Sequence, residues 1–335
     1  MSDQNRRLVL AERPTGIIEE KTVRLEQADV PEPGPGEALL RNRFLSIDPT
    51  IRTWMDDRQG YLPPIGIDEV VRSAGVAEVV SSNSDRYSVG ELVFGLTGWQ
   101  DYAIADEGES PVQTLPEGID PLAALSVFGT TGMTAYFGLI DVGKVKEGDN
   151  IAISGAAGAT GSTVGQIARI KGAARVVGIA GGAEKCRWLV DELGFDAAID
   201  YKSDDVAARL RDEFPDGIDL YWDNVGGELL DIALGQIALR GRVVLCGAIA
   251  GYSTGEIKAP TNYVNLISRR GRMEGFIILD YIPRFPEAQA EMAAWIGEGK
   301  VKYATHIVEG LEHAPDALNL LFTGGNTGKV IVQVD

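Results

Sequence analysis

The feature that most constrains this chain is an apolar run at residues 151–154. It passes at once into GAAGATGSTVGQIARIKG and then, from residue 175, into a second apolar run. A small-residue turn between a buried strand and a helix has a known physical use. Glycine lets another backbone or a ligand come close, and the helix N-terminus offers unpaired N–H groups and a positive dipole end to an anion. The spacing is A-x-G-x-x-G over Ala156, Gly158 and Gly161, so alanine stands where the first glycine of a dinucleotide fingerprint usually lies. Alone the string is weak, since a glycine turn made for packing explains most chance matches. Its context is stronger. The second run ends near Ile179, giving a βαβ unit of about the expected 30 residues, with the helix expected to start near Ser162.

The alternation continues through apolar runs at 197–200, 218–222 and 242–246, each ending in Gly, Asp or Asn. Helical stretches AEKCRWLVDELG, SDDVAARLRDEF and ELLDIALGQIAL lie between them; in the second, Val206, Leu210 and Phe214 recur at helical spacing. Buried strands alternating with helices predict an α/β fold with a doubly wound parallel sheet. A sixth strand is expected in RMEGFIIL. Ligands of such sheets bind outside the carboxyl ends of the strands. That position falls on Asn224 in DNVGG and on residues 247–252 in CGAIAGYS, facing a nicotinamide half. The competing reading of Asn224 is a cap on the following helix.

The second strand ends in VVGIAGGAEKC. Where an NAD site places an acid for the adenosine ribose 2′-OH, this chain has Gly181 and Gly182. An acid there would repel a 2′-phosphate; a lysine would attract it. Lys185 follows in the next helix, so the expected cofactor is NADP(H), with Tyr201 beyond the third strand as a second phosphate donor. The bland alternative makes Lys185 a solvated surface lysine.

The flanks read differently. Residues 1–125 carry short alternating or β-branched stretches, EALLRNRFLSID, AGVAEVVSSN, ELVFGLTGWQDYAIAD and PVQTLP, separated by clusters such as PEPGPG. They predict an irregular antiparallel β domain. Residues 302–335 return to β character in THIVEG and GKVIVQVD and are expected to rejoin it, leaving 126–301 as the nucleotide-binding domain. With 49 acidic against 31 basic residues the net charge is −18, which argues against nucleic acid or an anionic membrane as partner. No apolar run is long enough for a membrane span. The opening MSDQNRRLVL shows no secretion signal, and Cys186 and Cys246 read as reduced thiols of a cytoplasmic protein rather than a disulfide. A catalytic zinc needs about three Cys, His or acidic ligands. No Cys or His precedes Cys186, and His306 and His313 lie late in the chain, read as surface or packing residues. No metal is expected.

With these residues in view, the chain resembles the zinc-independent medium-chain dehydrogenase/reductases, within them the prostaglandin, alkenal double-bond and curcumin reductase group. GTTGMTAYFGL, GAAGATGSTVGQIA, GGAEKC, DNVGG, GRVVLCGAIAGY, MEGFI and NTGKVIV carry the resemblance, in that order along nearly the whole chain. It implies a GroES-like β domain around a Rossmann domain. It also implies NADPH-dependent reduction of the carbon–carbon double bond of α,β-unsaturated ketones and aldehydes, with hydride delivered to the β-carbon. Cofactor contacts implied by the motifs are Thr130, Ala159, Thr160, Gly161, Ser162, Lys185, Tyr201, Asn224, Cys246, Gly247, Ala248, Ile249 and Tyr252. A strand at residues 277–279, with Ile277 and Leu279, and Asn326 of NTGK complete them. The family often reads DPYMR where this chain has DPTIR, and several members carry a tyrosine where Ser268 stands. Both departures remove aromatic hydroxyls. Among the donors left, Thr50, Tyr61, Tyr252, Tyr263 and Ser268, Tyr252 is preferred as catalytic because it ends the turn after the fifth strand. It could equally stack on the cofactor, leaving the proton to Tyr263, a ribose hydroxyl or water. Alternatives to the enone reductase are a quinone oxidoreductase and a non-catalytic NADPH-binding redox sensor. A homodimer is expected, since the fold often pairs through sheet edges.

Overall fold

A computed structural model describes residues 4–108, 112–256 and 258–334. Residues 1–3 and 335, the outer ends of the expected β domain, and Pro111 at the head of PVQTLP lie outside them. The strands, in chain order, begin with β1 (Gln4–Leu10), β2 (Val23–Asp29), β3 (Ala38–Ile47), β4 (Ala74–Ser82) and β5 (Leu92–Leu96). Then come β6 (Tyr102–Ala105), β7 (Gln113–Thr114), β8 (Asn150–Ser154), β9 (Arg175–Ala180) and β10 (Ala197–Asp200). The last are β11 (Ile218–Asp223), β12 (Ile237–Leu245), β13 (Arg272–Gly275), β14 (Thr305–Glu309) and β15 (Lys329–Gln333).

The chain divides into two units. One comprises the stretch up to residue 125, residues 252–254 and the stretch from 305; the other comprises residues 126–251 and 255–304. In the first, the strands lie in the order β14-β15-β3-β4-β5-β7 with β6 on β3, and β1 and β2 form a separate antiparallel pair. Its core draws on both chain ends, since Leu8, Leu10, Leu45, Ile47 and Trp99 pack with Leu311, Leu318, Val330 and Val332. The late segment is not purely β. A helix, Ala314–Thr323, joins β14 to β15, with a proline in its first turn and Gly324 in the left-handed conformation at its end.

The second unit holds a six-stranded sheet in the order β10-β9-β8-β11-β12-β13, every pairing parallel. This is the doubly wound order, with its switch point between β8 and β11. Residues 151–154 of β8 are all buried, as a strand covered on both faces requires. Ile153 and Trp222 neighbour each other across β8 and β11.

Three boundaries differ from the sequence reading. The first crossover helix is Ala159–Ile170, three residues longer than a start at Ser162, because Gly158 takes the extended cap conformation and Ser162 N–H already bonds Gly158 carbonyl at 3.0 Å. The helix expected over ELLDIALGQIAL stops at Gly235. Ile237 and Ala238 are instead buried in β12, whose register shifts beside a left-handed Arg240. The strand expected at Ile277 to Leu279 is absent: β13 ends at Gly275 and residues Ile278–Arg284 form a 3₁₀ helix containing Pro283. Proline removes a ladder donor, and an edge strand with no outer partner holds only its paired residues extended. Among the described residues no helix is long and apolar enough to cross a membrane.

Candidate cofactor and catalytic site

The turn after β8 is built by exclusion of side chains. Gly155 has φ +57°, and a Cβ on Gly161 would come within 2.5 Å of Gly155 carbonyl oxygen. Only glycine lets the helix start this close to the strand end. Gly158 is the N-cap residue, and no side chain caps it. The first N–H groups of the helix, at Ala159, Thr160 and Gly161, therefore have no intrahelical acceptor and face out with the positive dipole end. The Ser162 and Thr163 hydroxyls both turn back to Ala159 carbonyl, at 3.2 and 3.0 Å.

Across the switch point lies a buried polar knot that the sequence reading missed. Asp223, fully buried, accepts from Ser154 Oγ at 2.9 Å, from Val225 N–H at 3.1 Å and from Gly226 N–H at 3.0 Å. Burial raises its carboxyl above the usual carboxylate range, against the pull of those donors. Asn224 is not a helix cap: Gly226 holds that position without a side-chain bond. Instead Asn224 Nδ2 donates to Ser154 carbonyl at 2.7 Å, its Oδ1 accepts from Trp222 Nε1 at 3.0 Å, and Gly155 lies against it. The signal was the acid directly before Asn224, whose burial no local pattern reveals.

The turn after β12 rests on the same knot. Cys246 and Gly247 N–H both donate to Asp223 carbonyl, at 2.9 and 3.0 Å, and Ile249 N–H donates to Asn224 carbonyl at 3.2 Å. Burial, with a smaller contribution from Asp223, pushes the Cys246 thiol up to about 12, so it stays protonated. Ala248 packs on Gly226. The short helix Ile249–Tyr252 closes this turn, and Tyr252 falls with the first unit.

At the end of β9 the missing acid has a structural sequel. Gly182 has φ +103°, with nothing near an added Cβ, and its N–H donates to Asp200 Oδ1 at 2.8 Å. A Cβ on Gly181 would come within 2.8 Å of the Tyr201 ring, so the tyrosine lies flush on this turn. Asp200 is occupied by the N–H groups of Gly182 and Lys202, which hold its carboxyl below the usual range. Burial lowers the Lys185 ammonium from the lysine range, and the neighbouring Lys202 lowers it further. The like charge of Lys202 acting on Lys185 is one that an anion would relieve. Lys202 is the member the sequence reading passed over.

The other expected residues are more scattered. Thr130 is exposed at the head of the helix Thr130–Phe137; Ile277 and Leu279 are exposed outside any strand. Asn326 is buried in the first unit, its Nδ2 donating to Gly328 carbonyl at 3.0 Å. Ser268 Oγ bonds within its own helix, Tyr263 is exposed, and burial raises the Tyr61 phenol while the Thr50 and Trp54 side chains lower it. Cys186 and Cys246 are both free. Among the described residues no group of three or more His, Cys, Asp or Glu could hold a metal ion.

Comparison with known proteins follows this layout. Residues 6–112 match the family described as the N-terminal domain of oxidoreductase, and residues 159–295 the one described as zinc-binding dehydrogenase. The chain is 42% identical over 337 residues to the NADPH-dependent curcumin reductase of Escherichia coli K12, covering 99% of this chain and 97% of that one. It is 38% identical over 340 residues to a 2-alkenal reductase (NADP(+)-dependent) of Nicotiana tabacum, covering 98% and 97%. The solved structure of CurA from Vibrio vulnificus in complex with NADPH superimposes with a TM-score of 0.93 at 44% identity, covering 98% and 99%.

Proposed function

The chain belongs to the medium-chain dehydrogenase/reductases, in the group of the curcumin, alkenal and prostaglandin reductases, and from that premise we propose that it reduces the carbon–carbon double bond of α,β-unsaturated ketones and aldehydes. Its cofactor is NADP(H), in keeping with the NADPH-bound neighbour at 44% identity. The residues present fit that group. Uncapped N–H groups at Ala159, Thr160 and Gly161 suit a pyrophosphate, and Lys185, Tyr201 and Lys202 by the Gly181–Gly182 turn, which carries no acid of its own and whose nearby Asp200 is held by the N–H groups of Gly182 and Lys202, suit a 2′-phosphate. That turn is the observation that carries the reading. The turns at Asn224 and at Cys246 to Ile249, locked to each other through Asp223, line the sheet edge where a nicotinamide would lie.

NADPH, when bound, supplies the hydride for the β-carbon of the substrate. The chain must then stabilise the negative charge that develops on the carbonyl oxygen and deliver a proton to the α-carbon. Tyr252 is the residue proposed for this work: a neutral phenol donates a hydrogen bond to a developing oxyanion without carrying charge beforehand. The same Asn224, Cys246, Gly247, Ala248 and Ile249 hold the cofactor end of the reaction, with Thr130, Ile277, Leu279 and Asn326 as further cofactor contacts. The first unit serves as the substrate domain and the second as the nucleotide domain.

No zinc takes part in this reading, since no Cys or His precedes Cys186. The assembly is a homodimer paired through the edge strand β13, whose Met273 and flanking Ile267 and Ile277 are exposed apolar side chains. The protein works in the cytoplasm on small molecules. NADPH consumption against a panel of alkenals, enones and quinones tests the reading. Turnover of enals and enones is expected; preference for quinones would move it to a quinone oxidoreductase, and tight NADPH binding without turnover to a redox sensor.

A further inference from the structure

We infer that Arg52 is a positioning residue for Tyr252, acting through the backbone of Ser253; this rests on the proposed role of Tyr252. Arg52 is among the largest fully buried side chains of the first unit, with only 2% of its surface exposed. Burying a guanidinium costs several kcal/mol unless its donors are met. Here four bonds run from it to three separate chain segments. Nε donates to Gly16 carbonyl at 2.7 Å, Nη1 to Asp56 Oδ1 at 2.6 Å, and Nη2 to both Pro14 carbonyl at 2.9 Å and Ser253 carbonyl at 3.2 Å.

The Ser253 contact is the informative one. Residues 252–254 group with the first unit although their neighbours on both sides belong to the second. A three-residue excursion has little core of its own, and Arg52 reaches it from 201 positions away. The carbonyl it holds belongs to the residue directly after Tyr252. Fixing that peptide restricts the backbone rotations that aim the Tyr252 phenol. The fork geometry is required as well: one planar guanidinium spans carbonyls from Pro14, Gly16 and Ser253 while its charge is neutralised by Asp56, whereas a lysine offers one donor point.

The test is a double-mutant cycle between Arg52→Lys and Tyr252→Phe in the full-length enzyme, read as kcat on an enal or enone, with the NADPH dissociation constant and the thermal midpoint measured alongside. Arg52→Lys keeps a cation beside Asp56 and guards against a simple failure to fold; Arg52→Gln is the second variant. The expected result is a fall in kcat of about ten-fold for Arg52→Lys, with NADPH binding within about two-fold of native. In the Tyr252→Phe background the same change should cost less than about two-fold, because the hydroxyl it positions is gone. An equal cost in both backgrounds would make Arg52 a purely structural anchor and overturn the inference. If Tyr252→Phe itself leaves kcat unchanged, the reading of Tyr252 fails first, and the Arg52 inference falls with it.

Discussion

At the scale of single residues, the proposed basis of cofactor choice is what is missing from the end of β9. Neither glycine carries charge, Gly182 leaves room, and Lys185 is proposed to supply the cation. A charge-assisted contact is worth about 1.5–3 kcal/mol, so Lys185→Ala should weaken NADPH binding by about ten- to a hundred-fold. NADH use should be nearly unchanged. Titration of both cofactors by fluorescence decides it, and equal losses for the two would reduce Lys185 to a structural lysine. Tyr252 is tested by a smaller excision. Tyr252→Phe keeps the ring and removes the hydroxyl; losing one oxyanion donor typically costs about 2.7–4 kcal/mol. Turnover should fall by at least about ten-fold with NADPH affinity close to native. A loss confined to NADPH affinity would assign the phenol to the cofactor.

Between elements, the Asp223 knot joins the ends of β8, β11 and β12 and so sets the shape of the sheet edge. Each donor stranded by Asp223→Ala costs about 1–3 kcal/mol; the N–H groups of Val225 and Gly226 lose their acceptor, while Ser154 Oγ keeps Trp222 carbonyl at 3.4 Å. The variant should lose at least about 2 kcal/mol of unfolding free energy in denaturant titrations. Asp223 also makes a pH signature. Its folded-state carboxyl is raised by burial, so the folded chain holds this proton more tightly than the unfolded one. The resulting stability is full below the ordinary aspartate range and is lost as the pH rises through the raised value. Asp223→Asn cannot ionise. Its stability relative to wild type should therefore improve as the pH rises from about 4 toward neutral, the ordinary aspartate value being about 3.9. A difference that stays flat with pH would show the Asp223 carboxyl ionised throughout.

For the whole molecule, two outcomes are open to direct measurement. Dimerisation through β13 predicts a solution mass near twice the 35.9 kDa of one chain. Ile267→Glu, placing a charge on a side chain that is 78% exposed, should shift that mass toward a monomer in light scattering. A wild-type monomer would remove the edge-pairing proposal. Extended dialysis against a chelator should leave turnover intact, and metal analysis should find well under one zinc per chain. No group of three or more His, Cys, Asp or Glu among the described residues could hold a metal ion, so stoichiometric zinc would overturn the zinc-free reading.

The amino-acid sequence on its own determined the parallel sheet, the glycine turn and the absent acid, because each is a local matter. Strand and helix periods, positive-φ glycines and a residue type at a strand end act over a few positions, where the chain's preferences are readable. The same locality explains the misplaced ends: Gly158 as a cap and Ile237 in a strand depend on what packs beside them. Folding alone decided the rest. It laid Tyr201 on the Gly181 turn, buried Asp223 beneath two turns, set the last strands into the core begun by Leu8 and Leu10, and carried Arg52 to Ser253. Those contacts join residues far apart along the chain, and burial, which fixes their energies, is a property of the packed molecule that no short stretch contains.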